Sequence, residues 1–542
     1  MFRLLLCALL CAAPLSAATI TVGNTNDAGT GSLRQAVINA VGGDTILFDS
    51  SLAGSTITLT SGVIAVGTKA LTITGLTDAG GKPDLTISGN NASRIFSTSA
   101  TFALYDLRLI DGSSSNGAAI AGGPLICGNC VFEGNQASGS GGAILGPVSA
   151  LHDCAFIANT GSIGGAIEST SISLIERCTF SGNSAGSGGA IYWSNTSGVL
   201  TGQVINCTFS GNQSTDSSSG GGGAIFIDTA NASVVLTAIH CTFDGNSAAN
   251  ATGGQCARLV AVYISGATTA ALNTESCIYA DSSANSMFST FMTAGGSSVF
   301  SSFGFNVCSD SPGFMNASSD VTGTNPMLSA LADNGGLTQT LAIGASSPAL
   351  NAGNPVGTTT TDQRGIVRSQ PDAGAFELRE TTISVTYNGA AAPNGAAVSP
   401  AGPATPGTAG SETFSIGNDA AAVSNLDLSL PVTITPISNC TAALGTAPAA
   451  SIMPGNASDL VVDVTPTAEG YYSFSITIVS NDPNASPYTI YLTGYAYIPS
   501  SSSSSGGGGD DDSNCSTGGG QSWLWLALLA LAGLAVLRPR RG

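Results

Sequence analysis

Carboxylates are the side chains of this sequence best suited to chemistry on a polysaccharide. Two carboxyl groups facing each other across a groove hydrolyse glycosidic bonds, and acidic calcium ligands beside a basic residue support lyase chemistry. The stretch 112–310 holds ten carboxylates: Glu133, Asp153, Glu168, Glu176, Asp216, Asp228, Asp244, Glu275, Asp281 and Asp310. Its basic residues are Arg177 and Arg258, and the histidines of the chain are His152 and His240. Which of these groups meet depends on the elements that position them.

The cysteines form one short motif, Cys127-Gly-Asn-Cys130. Redox sites of this form join a strand to a helix, and a zinc site needs a second pair nearby; the sequence indicates neither. The histidines are expected to be solvated or stacked, without a second recurring ligand. We therefore assign no catalytic residue, no metal ligand and no cofactor. The thiols are expected to be mainly reduced and packed, and a disulfide between neighbouring repeats is left open.

The composition excludes several classes of protein. Charged residues make up 9% of the chain, where about 25% is usual. The 14 basic residues against 33 acidic ones give a net charge of −19, which excludes a nucleic-acid partner because no basic surface can form. Hydrophobic residues at 43% are too many for a disordered chain. The abundance of Gly, Ser, Thr and Asn is typical of short strands joined by turns, so we predict an all-β fold.

A repeat organises the middle of the chain. Each copy contains C-x-F, then Asn three residues after the Phe, and most copies contain Gly-Gly-Ala-Ile. The repeated positions are Cys130, Cys154, Cys178, Cys207 and Cys241; Phe132, Phe156, Phe180, Phe209 and Phe243; and Asn135, Asn159, Asn183, Asn212 and Asn246. With Cys277 as a degraded sixth copy, the cysteines are 24, 24, 29, 34 and 36 residues apart. A period near 24 with insertions indicates stacked coils with surface loops.

Strand geometry predicts which kind of coil this is. Residues i and i+2 of a strand share one face, so the Cys and Phe of each copy point inward. Asn and the Gly pair suit the left-handed corners between three short strands. The resulting parallel β-helix would stack Cys, Phe and Asn as three internal ladders, about 4.8 Å apart from coil to coil.

The position of each ionisable residue relative to the cysteine of its repeat places these side chains on the outside of the coil. It predicts an ion pair between Asp153 and Arg177, with Glu176 above His152, while Glu168 follows Leu145 and precedes Tyr192 in its row. No repeat-aligned position brings two carboxylates onto adjacent coils. Residues within the insertions cannot be aligned from one repeat to the next, so a pair of carboxylates formed by loops is left open.

Two family resemblances support the coil. The Gly-Gly-Ala-Ile and F-x-x-N units of residues 117–246 resemble the repeats of chlamydial polymorphic outer-membrane proteins, which are surface adhesins. The motifs Asp333–Gly336, Ser347–Gly353, Asp362–Gly365 and Gly374–Glu377, with the opening 22–36, resemble the bacterial choice-of-anchor Q proteins. That resemblance implies a right-handed parallel β-helix over residues 19–380, displayed at a surface and without an established activity. A helix beginning after Ser32 is predicted to cap its N-terminal end.

A second module is predicted over residues 381–497. Strand signals recur at short intervals, and alternating Phe474, Ile476 and Ile478 indicate one buried face. The pattern is typical of an Ig-like β-sandwich. The turn Ser480–Asn484, followed by Pro487–Ile490, resembles choice-of-anchor D and Hydin-like domains, which commonly serve as spacers.

The two ends predict export and anchoring. Residues 1–18 are typical of a signal peptide, 498–520 of a flexible spacer, and 521–542 of a transmembrane segment. The tail resembles bacterial glycine-glycine and myxobacterial-type sorting signals. The residues that carry this resemblance are Cys515, Gly518, Gly519, Gly520, Arg538, Arg540 and Arg541. It implies a sorting protease and the membrane as partners, and a location at the cell surface or outer membrane, with release after cleavage left open.

The densest charge cluster is predicted to be structural. It consists of Asp362, Arg364, Arg368, Asp372 and Glu377. We interpret it as a salt-bridged cap between the β-helix and the sandwich, in preference to a binding site, because structural ion pairs commonly form such clusters.

Two classes of function follow. The first is a monomeric, non-enzymatic adhesin or display protein that binds a glycan, a protein or another cell. The second is a carbohydrate-active enzyme, because pectate-lyase-type and pectin-hydrolase-type enzymes share the β-helix fold. In either class the insertions Ser214–Gly223 and Ala248–Gln255 are candidate binding loops. Tyr192 and Trp193 are candidates to stack on a sugar, with Tyr192 packed inside as the alternative.

Overall fold

The structure, a computed structural model, describes residues 17–499 with short internal gaps. The gaps are 196–197, 216–220, 231, 250–259, 266–268, 281–286, 293–296, 345, 358, 369, 379–380, 382, 420–421, 423–424 and 483–484. The predicted signal peptide up to residue 16, and the spacer and membrane segment from residue 500 onward, lie outside the described residues. Among the residues that are described, no helix has the length and apolar character needed to cross a membrane.

Most of the chain forms stacked parallel strands in three rows. Row 1 is a nine-stranded sheet of Ile64–Gly67, Phe96–Thr98, Ile120–Gly122, Ile144–Leu145, Ile167–Ser169, Ile191–Asn195, Ile225–Ala230, Val260–Ser265 and Phe288–Met292. Rows 2 and 3 belong to one twenty-stranded sheet. Row 2 contains Thr19–Val22, Thr45–Phe48, Leu71–Thr74, Phe102–Ile110, Leu125–Glu133, Val148–His152, Leu174–Glu176, Val199–Ile205, Ser233–Ile239, Thr269–Glu275 and Ser297–Ser302. Row 3 contains Thr56–Thr58, Thr86–Ser88, Ala155–Ile157, Thr179–Ser181, Thr208–Ser210, Thr242–Asp244, Ile278–Tyr279, Val307–Cys308 and Val321–Thr322, and two row 2 strands, Phe102–Ile110 and Leu125–Glu133, continue into it.

Each strand pairs with the corresponding strand one repeat later, so the chain stacks in register. Phe132 pairs with Phe156 and Phe156 with Phe180. Shorter pairings continue the stack at the turn after row 3, in Ser113–Ser114, Gln136–Ala137, Ser184–Ala185, Gln213–Ser214 and Ser247–Ala248. The prediction of an all-β chain is confirmed, and the parallel stacking is consistent with the predicted parallel β-helix.

The corner between rows 2 and 3 has a repeated backbone conformation. The residue directly before each ladder cysteine has a positive φ, as in Asp153 (55°), Arg177 (54°) and His240 (49°). This left-handed residue bends the chain from row 2 into row 3, and the following Cys faces inward. The Cys and Phe of the C-x-F units are fully buried. Neighbouring Phe rings from Phe132 to Phe243 stack with centroids 4.7 to 4.8 Å apart.

The corner after row 3 differs from its prediction. The left-handed residues are those before the ladder asparagines, such as Ala158 (φ 51°) and Gly182 (φ 62°), and not the asparagines themselves. The asparagines point inward instead. From Asn159 to Asn246, each side-chain oxygen accepts a hydrogen bond from the backbone N–H of the Asn one coil earlier, at 3.0 Å between Asn159 N and Asn183 Oδ1. The Gly pair does form its corner as predicted, with φ 64° at Gly164, and a Cβ on Gly165 would lie 2.0 Å from Gly189 O.

A short helix, Leu33–Asn39, lies at the N-terminal end of the coils. Ser32 is its N-cap, and the Ser32 side chain accepts from Gln35 N. Leu33, Ala36 and Val37 are buried in the coil core. A 3-10 turn, Ser50–Leu52, follows the next strand. The helix ends at Asn39, and Val41, two residues beyond it, is exposed.

Residues 333–377, which we call the strap, run back along the outside of rows 2 and 3. The strap begins near Lys82, which pairs with Asp333, and reaches Ser276, whose carbonyl accepts from Gly374 N at 2.7 Å. Near its start, Thr340–Ile343 pairs antiparallel with Leu328–Ala332. The strap buries the middle residues of the C-x-F units: Thr179, Thr208 and Thr242 are at most 1% exposed although they face outward.

The second module consists of two five-stranded sheets that share one hydrophobic core. One sheet contains Ala390–Ala391, Ile383–Tyr387, Gly410–Asn418, Ala457–Pro466 and Cys440–Thr446; the other contains Ala397–Val398, Tyr488–Ala496, Gly470–Ser480, Leu426–Ser438 and Ser451–Ile452. The pairings are antiparallel except that of Ala397–Val398 with Tyr488–Ala496. Phe474, Ile476 and Ile478 are fully buried, as their alternation predicts.

Candidate functional site

The outer face of row 1 carries a line of side chains from successive coils. In-register pairing joins Leu145 to Glu168, Glu168 to Tyr192, and Tyr192 to Phe226. The neighbouring isoleucines of these strands point inward, which leaves this line outside. We call Glu168, Tyr192, Phe226 and Asp228 the row 1 ridge.

The ridge combines stacked rings with a carboxylate. The rings of Tyr192 and Phe226 stack with centroids 5.3 Å apart and planes 15° apart. The Tyr192 hydroxyl donates to Asp228 Oδ2 at 2.5 Å. Burial raises the pKa of Asp228, and the Tyr192 hydrogen bond acts in the opposite direction. Phe226 is 5% exposed and Tyr192 is half-buried, so the ridge presents mainly the Tyr192 ring, beside a carboxyl group whose pKa is raised by burial.

Glu168 borders the other side of Tyr192. Its Oε2 atom is buried and has no hydrogen-bond partner within the described part of the chain. A buried carboxylate oxygen without a partner is unfavourable unless a ligand or water supplies a donor. The ridge thus places two acids beside the half-buried ring of Tyr192, which stacks on the buried ring of Phe226. Trp193, the other predicted sugar-stacking residue, points inward and is 1% exposed.

Sequence reasoning found Tyr192 and Glu168 but missed Phe226 and Asp228 as their neighbours. The insertion before Gly222 lengthens the repeat, so residues beyond it cannot be aligned by counting from the cysteines. Counting from Gly-Gly-Ala-Ile would have found both, because Phe226 follows its Ile directly, as Tyr192 follows Ile191. The binding loops predicted at 214–223 and 248–255 fall mostly outside the described residues.

Charged side chains at the corner between rows 2 and 3 satisfy one another. Arg177 Nε and Nη2 each donate to Asp153 at 2.8 Å, and Arg177 Nη1 lies 3.0 Å from Glu176. His152 Nδ1 lies 3.0 Å from Glu176 Oε2. The hydrogen bond to Asp153 raises the pKa of Arg177 above its usual value. Each charged group in this network has an ion-pair or hydrogen-bond partner within it, so we assign it a structural role.

The strap's charge cluster lies against the side of the coils and not at their end, where a cap was expected. Arg368 is buried, pairs with Glu377 at 3.0 Å and donates to Asn206 Oδ1 at 3.0 Å. Arg364 pairs with Asp362 at 2.7 Å. Asp372 Oδ1 accepts from Asn351 N at 2.7 Å. The cluster lies to one side because the strap turns back along rows 2 and 3.

The titration of the cluster follows from its burial. Burial raises the pKa of Glu377 to about 8, with the charge of Asp372 adding to the rise and Arg368 opposing it. His240 is also buried under the strap, contrary to the expectation of a solvated or stacked ring. Burial lowers the pKa of His240 well below its usual value, and the charge of Arg368 adds to that effect. Enclosed groups of this kind hold the strap in place and are out of reach of a large substrate.

The ladder thiols are packed inside the coils. Cys127 and Cys130 are both buried, and none of the described cysteines forms a disulfide. Burial raises the pKa of Cys130 well above its usual value, so the nucleophilic thiolate is scarce. Within the part of the chain that the structure describes, no three His, Cys, Asp or Glu side chains form a group that could hold a metal ion. The sorting residues Cys515, Gly518–Gly520, Arg538, Arg540 and Arg541 lie outside that part.

Comparisons with known proteins agree with the repeat. The family model of the Chlamydia polymorphic membrane protein repeat matches residues 129–147, 177–192 and 206–228, which bears out the resemblance to those proteins. No curated protein matches the chain. Among solved structures, the secreted serine protease VesC from Vibrio cholerae aligns with 13% identity over 21% of this chain and 23% of its own length, with a TM-score of 0.17. That similarity is too low to support an argument.

Proposed function

We propose that this protein is an exported bacterial surface protein that binds an extracellular glycan on the row 1 ridge without cutting it. The observation that supports this most is the Tyr192–Phe226 stack with Asp228 hydrogen-bonded at its edge. Aromatic faces pack against the C–H faces of a sugar, and acidic groups accept hydrogen bonds from its hydroxyls. The match to membrane-protein repeats fits a surface location.

The ridge proposal is tested with Tyr192→Ala in the full mature chain. Binding to an array of extracellular polysaccharides should fall at least tenfold, because the variant loses both the ring and the support of Asp228. Tyr105→Ala is the matched control: Tyr105 is also an outward-facing tyrosine, 36% exposed, but it lies in row 2. Equal binding by both variants would place the ligand elsewhere.

A second candidate function is hydrolysis of the same glycan. It is favoured by the two carboxyl groups that border Tyr192, of which Asp228 has a raised pKa suited to a general acid. Glu168 would then act as the base or nucleophile. An assay for new reducing ends distinguishes the two functions. Activity that disappears in both Glu168→Gln and Asp228→Asn would establish the enzyme, and no activity would support binding alone.

The remaining architecture is part of the same proposal. A right-handed β-helix over residues 19–380 carries the ridge, and an Ig-like sandwich of the choice-of-anchor D type over 381–497 holds it away from the cell. The tail from 498 anchors the chain through Cys515 or Gly518–Gly520, with a sorting protease as the partner. Mass spectrometry of the mature C-terminus tests this: a chain that still ends in Gly542 would contradict sorting.

A further inference from the structure

Three exposed tyrosines form a groove on the second module. Tyr471, Tyr495 and Tyr497 are 55%, 44% and 43% exposed. With Ser399, Pro400 and Pro403 they line a groove of about 780 Å³, which is within the range of roughly 300–1,000 Å³ usual for small-ligand sites. Large rings left in water at one place on a surface mark a binding site more often than a chance arrangement.

Strand register brings the rings together. Tyr471 pairs directly with Tyr495 on the adjacent antiparallel strand, and Tyr497 follows two residues later on the same face. The inward-facing neighbours Tyr472 and Ala496 are buried in the core. The rings of Tyr471 and Tyr495 are 5.1 Å apart and nearly perpendicular, at 71°. One ring face and one ring edge are therefore presented side by side by two rigid strands.

The opposite wall of the groove is also fixed. Ala404, directly after Pro403, donates its N–H to Tyr495 O at 2.9 Å and accepts from Tyr497 N at 3.0 Å. These bonds attach the proline-containing segment to the strand that carries the tyrosines. Proline also has a fixed φ, so little conformational entropy is lost when a ligand binds. The groove is formed before any ligand arrives.

The chemistry of the lining indicates an uncharged ligand rich in hydroxyls. Among the residues that the structure describes, no charged side chain lines the groove, and a chain with a net charge of −19 repels anions. Tyrosine, serine and threonine hydroxyls donate and accept hydrogen bonds, while the rings pack against C–H faces. We propose that this tyrosine groove binds a neutral saccharide, which makes the second module a binding module as well as a spacer. The proposal is independent of the row 1 ridge, because the two sites share no residue.

The test uses the full mature chain with Tyr192→Ala as the background, so that the ridge does not contribute. Affinity is measured by calorimetry for neutral gluco-, manno- and galacto-oligosaccharides, for oligogalacturonate and for a proline-rich decapeptide. We expect binding of at least one neutral oligosaccharide, weakened at least tenfold by Tyr471→Ala and by Tyr495→Ala. Tyr491→Ala is the matched control, because Tyr491 lies on the same strand and face, is 44% exposed, and lies outside the groove.

The other outcomes overturn the proposal. Absence of binding to every neutral oligosaccharide would do so, as would binding that survives both groove substitutions. Tighter binding of the decapeptide or of oligogalacturonate would assign the groove to another class of ligand. Unchanged far-ultraviolet circular dichroism of the three tyrosine variants confirms that a loss of binding does not come from unfolding, and Tyr495→Phe, which keeps the ring, should retain most of the affinity.

Discussion

At the scale of single residues, the buried ladder asparagines of the coils are satisfied by hydrogen bonds to neighbouring coils. Asn183 Oδ1 accepts from both Asn159 N and Asn159 Nδ2 at 3.0 Å, and Asn183 Nδ2 donates to Phe156 O at 2.9 Å. The Asn183 side chain thus forms hydrogen bonds with three buried groups that water cannot reach. This is why Asn recurs there, and why an apolar residue of similar size would not replace it.

Asn183→Ala should lower the free energy of unfolding by about 2–4 kcal/mol, because it leaves buried donors and an acceptor without partners. Urea titration followed by circular dichroism measures the change. Ser181→Ala, on the outward side of the same coil, is the control and should shift stability by less than about 0.5 kcal/mol. Equal effects of the two substitutions would mean that the ladder does not carry this stability.

Asp27 fixes the turn before the N-terminal helix. It pairs with Arg34 at 2.6 Å and accepts from Ser61 N at 2.6 Å. Burial alone would raise the pKa of Asp27, but the hydrogen bonds from Ser61, Arg34 and Thr60 lower it to about 2. Because the folded pKa lies below the unfolded value of 3.8, the ionised carboxylate stabilises the fold above pH 3.8, and that contribution disappears as the pH falls towards 2.

Asp27→Asn should therefore destabilise the chain at pH 7 by about 1 kcal/mol, after allowance for screening by solvent. The difference from the wild type should shrink between pH 4 and pH 2. Thermal unfolding at each pH measures it, and Asp459→Asn, at an exposed position of the second module, is the control. A difference that stays constant down to pH 2 would rule out the charge as its cause.

At the scale of elements, the strap is the feature that repeat analysis could not predict. The C-x-F pattern correctly indicated an inward Cys and Phe, and coil phase indicated the Asp153–Arg177 pair. The repeat could not indicate that the outward-facing Thr208 side chain is buried. Its hydroxyl donates to Gln363 Oε1 at 2.7 Å, and Gln363 lies 155 residues further along the chain. Contacts over such separations leave no period in the sequence. The choice-of-anchor Q motifs from Asp333 to Glu377 all lie on this one element.

Arg368→Ala should release the strap. The substitution leaves Glu377 and Asp372 buried without their cation, and breaking a buried pair from one side costs about 3–5 kcal/mol. Hydrogen exchange should rise in the strap and at the row 3 threonines beneath it, while the Phe ladder keeps its protection. Lys82→Ala is the control, because the Lys82–Asp333 pair also attaches the strap but is exposed to water and contributes little.

Two results would contradict this account of the strap. One is exchange that rises equally along the Phe ladder and the strap, since the strap would then be part of a single cooperative unit. The other is an equally large effect of Lys82→Ala and Arg368→Ala, since burial of the ion pair would then be irrelevant.

In the second module, alternation predicted the long strands and missed the short ones. The alternating residues Phe474, Ile476 and Ile478 lie in the observed strand Gly470–Ser480, one face of which is regularly apolar. Cys440–Thr446 has only half-buried residues on its inner face, among them the small Cys440 and Ala442, so its alternation is weak in the sequence. The tyrosine groove could not be predicted either, because Tyr471 and Tyr495 become neighbours only through strand pairing.

At the scale of the whole molecule, the low charge follows from the stacking. A charge repeated in every coil would face its own copy about 4.8 Å away, where like charges repel. The internal ladders therefore carry uncharged side chains, whereas insertions break the repeat at particular places. The row 1 ridge lies at such a place, beside the lengthened coil that follows Tyr192.

The central claim is that the ridge retains a saccharide without cutting it. The measurement that tests this most directly is the chain length, by mass spectrometry, of each saccharide recovered after it has bound the full mature chain. We predict saccharide of unchanged length, retained by the wild type and lost with Tyr192→Ala. Shortened saccharide, whose formation stops in Glu168→Gln and in Asp228→Asn, would contradict the account and establish an enzyme in its place.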